Sequence, residues 1–145
     1  MSPPQELVTA ARSAAVRHKL DPALVCAVIE QESSWNAYAM RYEPAFQKRY
    51  VTALALPATE EIGRSTSWGL MQVMGQVARE HGFGGEFLSE MCSPEIGTEI
   101  GCRVLANKLL TARGDWSAGL LLWNGGGEQS YPGQVLKRLI HYSSD

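Results

Sequence analysis

The stretch DPALVCAVIEQESSWN, Asp21 to Asn36, decides how the rest of the chain is read. Asp21 followed by Pro22 predicts a helix start, with a side-chain oxygen at the N-cap and a proline at the first helical position. Ala23 to Ile29 carry no charge, so the helix is expected to be buried on most sides. At about 100° per residue, Leu24, Val25, Val28 and Ile29 share one bulky face, and Ala23, Cys26 and Ala27 a thinner one. Glu32 follows Val25, Val28 and Ile29 at helical spacing, so it stands where a core leucine is expected; Glu30 falls roughly opposite. A carboxyl held against apolar side chains has its charged form disfavoured and its pKa raised, which suits a general acid working near neutral pH. The competing reading is a structural ion pair between Glu32 and an arginine.

The chain's 145 residues are expected to form one domain over 1–145, large enough to bury a core without staples. Hydrophobic content of 45% and charged content of 19% fit an ordinary soluble globular protein. A net charge of −2 gives no electrostatic case for nucleic acid or an anionic membrane surface. No apolar run is long enough to span a bilayer, so no membrane insertion is expected. The N-terminus shows no positive segment followed by an apolar core, so no secretory signal is read. Of the three cysteines, Cys26 belongs to the buried helix; Cys92 and Cys102, ten apart, either close a loop or stay free. His18, His81 and His141 are isolated, and no metal site or cofactor is expected.

Outward from the central helix, Ser2-Pro3-Pro4 opens a first helix to about Lys19. Leu7, Ala10, Ala11, Ala14 and Ala15 form its inner face, with Arg12, Arg17 and Lys19 exposed. Trp35 to Thr66 is less regular, and its aromatics (Trp35, Tyr38, Tyr42, Phe46, Tyr50) read as local core in preference to a carbohydrate platform. A third helix is expected after Thr66-Ser67, with Leu70, Val73, Met74 and Val77 at helical spacing and a stop at Gly82. Ser93-Pro94-Glu95 starts a fourth, to about Ala112, in which Gly97 and Gly101 call for close approach of another helix. Asp115 caps a fifth, apolar helix that breaks at Asn124 to Gly127, and a last amphipathic helix runs from Pro132 to about Tyr142.

Three polar islands interrupt these helices: Glu32-Ser33-Ser34-Trp35-Asn36, Ser67-Trp68-Gly69-Leu70-Met71-Gln72 and Trp123-Asn124-Gly125-Gly126. Each alone is weak evidence. In this order and spacing they resemble the soluble lytic transglycosylase domain, related to goose-type lysozyme and found in phage-type endolysins. The family's E-S-x-x-N matches Glu32, Ser33 and Asn36; its G-L-M-Q matches Gly69 to Gln72, preceded by Ser67; and its Tyr-Asn-x-Gly matches as Trp123-Asn124-Gly125-Gly126. The resemblance covers roughly Leu20 to Val135.

The resemblance implies a mainly α (α+β, lysozyme-like) fold, a helical bundle with a small irregular or β-containing lobe over a cleft. It implies Glu32 as catalytic acid and base, Ser67 and Gln72 as polar contacts around the cleaved sugar, Met71 as a cleft wall, and Asn124 as a substrate or supporting contact. Three positions depart from the family pattern. Ala37 and Gly75 replace prolines, and Trp123 replaces a tyrosine whose hydroxyl usually lies near the catalytic group. An indole N–H donates but cannot accept.

The implied substrate is the glycan strand of peptidoglycan, cut between N-acetylmuramic acid and N-acetylglucosamine by an enzyme acting as a monomer on the periplasmic or extracellular side. Most glycosidases use two carboxylates; a lytic transglycosylase uses one, closing a 1,6-anhydro ring with the substrate's own 6-hydroxyl. A hydrolytic muramidase needs a second carboxylate to orient water. Glu43 is the candidate, with Glu60 and Glu61 behind it and a plain surface pair with Arg41 as the alternative. A glycan-binding module without turnover is the remoter reading.

Overall fold

Two helices packed on each other at the start of the chain set the frame, in a computed structural model that describes residues 2–143. Helix α1 (Gln5–Arg17) leads through Lys19, whose φ is 59°, into α2 (Pro22–Ser33). The Asp21 carboxylate accepts from the Ala23 and Leu24 amides at 2.8 and 3.2 Å, satisfying two of the N–H groups that a helix start leaves unpaired. Every residue from Ala23 to Ile29 is buried, as the absence of charge requires. Val8, Ala11, Ala14 and Ala15 bury the facing stripe of α1; Leu7 and Ala10 lie at its margin. Arg12, expected in solvent, is half-buried, because its guanidinium reaches across to donate to the Tyr142 carbonyl at 3.0 Å.

A three-stranded antiparallel sheet forms the small lobe: β1 (Met40–Tyr42), β2 (Thr66–Trp68) and β3 (Val73–Met74), in that order. Arg41 stands opposite Ser67, and Ser67 opposite Met74. Between β1 and β2 run the short α3 (Pro44–Phe46), a π-helical turn (Gln47–Val51), a 3-10 turn (Thr52–Leu54) and α4 (Ala58–Arg64). After β3 come α5 (Gly75–Glu80) and a 3-10 turn (Leu88–Cys92). The second half is helical: α6 (Pro94–Thr111), capped by Ser93; α7 (Trp116–Trp123), capped by Asp115; α8 (Tyr131–Leu136); and a 3-10 turn (Lys137–His141). Helix α6 packs on α1 and α7, and the C-terminal pair lies along α2. The result is the expected helical bundle with a small sheet-bearing lobe.

Three local expectations are corrected. No third helix starts at Ser67. The chain makes β2, a turn, β3 and only then α5, because Gly69 (φ 74°) and Gln72 (φ 52°) both take the left-handed region and break any right-handed helix between them. Of the residues at that apolar spacing, Leu70 in the turn and Val73 on β3 are buried, while the neighbouring Met74 is half-buried and lines the cleft. The irregular segment's aromatics are mostly not core: Trp35 is buried, but Tyr38, Tyr42 and Tyr50 are 80%, 45% and 50% exposed. Finally, what closes on the glycines of α6 is a 3-10 turn and the hairpin turn. The Met91 carbonyl lies over Gly97 and the Met71 side chain over Gly101, leaving no room for a Cβ at either.

Cys26, Cys92 and Cys102 are all free. Burial pushes the Cys26 and Cys102 thiols up to about 11 and about 12, so both behave as small core groups.

Candidate active site

The end of α2 is stopped abruptly, and that stop aims Glu32. Ser34 (φ 50°) and Trp35 (φ 65°) are consecutive left-handed residues, each costing about 1–2 kcal/mol without a glycine. Tertiary contacts hold them: the buried Trp35 donates its indole N–H to the Tyr142 hydroxyl at 2.8 Å. Ser33 Oγ contacts the Ile29 carbonyl at 3.2 Å and the Leu70 carbonyl at 2.8 Å, pinning the helix end to the Gly69–Gln72 turn. The Asn36 side chain accepts from the Tyr38 amide at 3.0 Å and turns the chain away toward β1.

Glu32 opens into a cleft of about 820 Å³ between the bundle and the small lobe. Its Oε2 accepts from the Tyr131 hydroxyl at 2.5 Å and from the Trp123 indole N–H at 3.4 Å. Among the described residues no donor reaches Oε1, and no arginine or lysine pairs with the group, so the ion-pair reading of Glu32 is set aside. Burial raises the Glu32 pKa above its ordinary 4.5, and the Tyr131 and Trp123 donors only partly offset this. Burial and the facing carboxylate raise the Tyr131 hydroxyl in turn, so it remains a donor.

Ser67, Gln72, Trp123, Asn124 and Glu43 line the same cleft as Glu32. Ser67 and Gln72 come together through the hairpin: Ser67 Oγ donates to Gln72 Oε1 at 2.8 Å. The Gln72 amide nitrogen donates to the Ala39 and Gly69 carbonyls at 3.0 and 2.9 Å, which commits both of its hydrogens to the turn. Glu43 pairs with Arg41 at 3.1 Å on the lobe side, and Asn124 caps the end of α7 beside Gly125. Met71 is not a cleft wall. It is 1% exposed and packs on Gly101, so it anchors the turn from beneath. Glu60 is held by Arg64 and Arg79 and Glu61 by Gln47, away from this cleft.

Tyr131 was not singled out in the sequence. Its signal lay in the departure at Trp123: an indole in place of a hydroxyl leaves the carboxyl short of a phenol, and Tyr131-Pro132 supplies one from the start of the last helix. Among the described residues no cluster of three or more His, Cys, Asp or Glu could hold a metal ion.

The sequence profile described as the Transglycosylase SLT domain matches residues 9–132. The fold is similar to that in the crystal structure of Burkholderia AP3 phage endolysin, with a TM-score of 0.70 and 23% identity, over 94% of this chain and 70% of that one. No curated protein matches in sequence. With 124 of its residues spanned by the profile, the chain belongs to the SLT transglycosylase family.

Proposed function

We propose that this SLT-family chain acts as one catalytic domain that cleaves the β-1,4 bond between N-acetylmuramic acid and N-acetylglucosamine in peptidoglycan, by lytic transglycosylation through Glu32. The observation that carries the reading is the one-sided bonding of Glu32. With Oε2 taken by Tyr131 and Trp123, the acid's proton belongs on Oε1, the oxygen left to the substrate.

Glu32 gives that proton to the glycosidic oxygen as the C1–O bond breaks, while the muramyl acetamido group stabilises the anomeric carbon. The resulting carboxylate, now bonded by two donors, takes the proton of the muramyl 6-hydroxyl. That oxygen attacks C1 and closes the anhydro ring, so no water is consumed. Tyr131 and Trp123 stabilise the ionised form that Glu32 passes through, lowering the cost of its burial. Ser67, Gln72 and Asn124 offer polar atoms along the cleft to the sugars. The enzyme works as a monomer on the wall side of the membrane; among the described residues no helix is long and apolar enough to cross one.

One observation favours a hydrolytic variant: Glu43 lines the same cleft. Its carboxylate is engaged by Arg41 at 3.1 Å, which weighs against a base free to orient water. Mass spectrometry of a purified peptidoglycan digest decides between them. Anhydro-muramyl ends from wild type and none from Glu32→Gln are the expected result. Ordinary reducing ends, lost in Glu43→Gln, would instead make the chain a muramidase.

A further inference from the structure

The last turn of α2 presents three consecutive polar side chains, and all three engage the C-terminal segment. Glu32 takes the Tyr131 hydroxyl, Gln31 bonds Gln134 and Arg138, and Glu30 bonds Arg138, His141 and Tyr142. Tyr131 and Gln134, at i and i+3, share one face of α8 laid along α2, and Arg138 follows on the 3-10 turn after it. The Gln31 amide donates to Gln134 Oε1 at 3.0 Å, while its own oxygen accepts from Arg138 Nε at 2.8 Å. Gln134 Nε2 contacts Ser130 Oγ at 3.0 Å, and Ser130 donates to Glu128 at 2.6 Å. The chain of bonds thus passes through Ser130, the residue immediately before Tyr131, and ends on Glu128.

This matters because α8 is short and follows a run of exposed residues from Asn124 to Ser130. Such an element has little of its own to fix its rotation. The distance from the Tyr131 hydroxyl to Glu32 therefore depends on what locks α8 against α2. Tyr131, Pro132 and Val135 bury one side of α8, an apolar contact without hydrogen-bond direction; the Gln31–Gln134 amide pair supplies direction, since an amide's donor and acceptor are fixed in its plane.

We infer that Gln31 and Gln134 are positioning residues of this site, an amide lock between α2 and α8 that holds the Tyr131 hydroxyl on Glu32. The inference rests on the catalytic reading of Glu32 only for its effect on turnover; the geometry it proposes can be tested without turnover. The charged and titratable groups around Glu32 are few. Tyr131 faces it from α8; Arg41, Glu43 and Tyr50 line the cleft from the lobe, Glu80 from α5 and Lys108 from α6, and none is ion-paired with it. Glu30, Arg138, His141 and Tyr142 form their own cluster along α2. A change at Gln134 therefore reaches Glu32 through Tyr131.

The test is carboxyl-carbon NMR titration of Glu32 in Gln134→Leu and Gln31→Leu, each alone and combined with Tyr131→Phe. Both leucine variants are expected to raise the Glu32 midpoint, because a loosened hydroxyl stabilises the carboxylate less. The shift should be smaller than that of Tyr131→Phe and absent on top of it. Gln134→Glu, which keeps the acceptor for Gln31, should restore most of the wild-type value. On peptidoglycan, kcat should fall about threefold or more with KM unchanged, the low end of coupling within one bonded network, and the alkaline limb of the pH profile should move up. A midpoint unmoved in both leucine variants, with only the melting temperature lowered, would overturn the inference. So would a shift that adds fully to that of Tyr131→Phe. A moved midpoint in a protein that releases no glycan would uphold the lock and sink the transglycosylase reading.

Discussion

Glu30 and Glu32 lie two residues apart on one helix and are tuned in opposite directions. Burial disfavours the charge at both. At Glu30 the bonds from Tyr142, His141 and Arg138 outweigh it, and the carboxyl is held below its ordinary 4.5. At Glu32 only a phenol and an indole reply, and the carboxyl is held above 4.5. The difference is the deeper burial of Glu32 together with its partners, an indole where Glu30 has a guanidinium and an imidazole. The lesson is that burial alone does not make an acid: the helix must also keep cations off one face while gathering them on the other.

The largest expected break in this comparison is Glu32→Gln, which should cut glycan release by about 10²–10⁴, the usual worth of a positioned acid. The fold should survive and gain stability near neutral pH. With the folded pKa of Glu32 above the unfolded one, the native state binds the extra proton. The wild-type penalty is therefore absent below about 4.5 and grows as pH rises through the folded value. Melting curves of both proteins should converge toward pH 4 and separate by pH 7.

Glu30→Ala should do the reverse. Losing a carboxylate bonded by Arg138, His141 and Tyr142 should cost about 1.5–3 kcal/mol of stability at pH 7, read by urea unfolding. Because the folded pKa of Glu30 is depressed, its contribution is present above 4.5 and lost as pH falls through the folded value. The two variants should therefore diverge in sign at pH 7 and both approach wild type in acid.

Smaller effects sharpen the comparison. Tyr131→Phe should lower turnover about tenfold, one bond to a charged group, and move the alkaline limb of the pH–rate profile upward. Trp123→Phe, removing a donor at 3.4 Å, should cost only about threefold and shift the limb in the same direction.

The helical frame was legible because its signals are local. Asp21-Pro22, Ser93-Pro94 and Asp115 cap helices in the structure as they do on paper, and the uncharged run after Asp21 could only be buried. The same run carries Glu32 into a buried position, where its pKa is raised. The hairpin at Ser67–Met74 was illegible because its turn needs Gln72 in the left-handed region beside Gly69, a strain at Gln72 offset by its tertiary bonds to Ala39 and Ser67. Tyr131 was missed because its partner lies 99 residues away. Met71 shared a motif with Gln72, but the turn that leaves Gln72 on the cleft sends Met71 beneath it, onto Gly101.

The most direct measurement is a titration of the Glu30 and Glu32 side-chain carboxyl carbons by NMR in the wild-type protein, from pH 3 to pH 8. The account predicts separated midpoints, Glu32 above 4.5 and Glu30 below it, with Glu32 moving further up in Tyr131→Phe. Coincident midpoints, or Glu32 titrating below Glu30, would contradict the claim that this helix holds one carboxyl as an acid and the other as an anion.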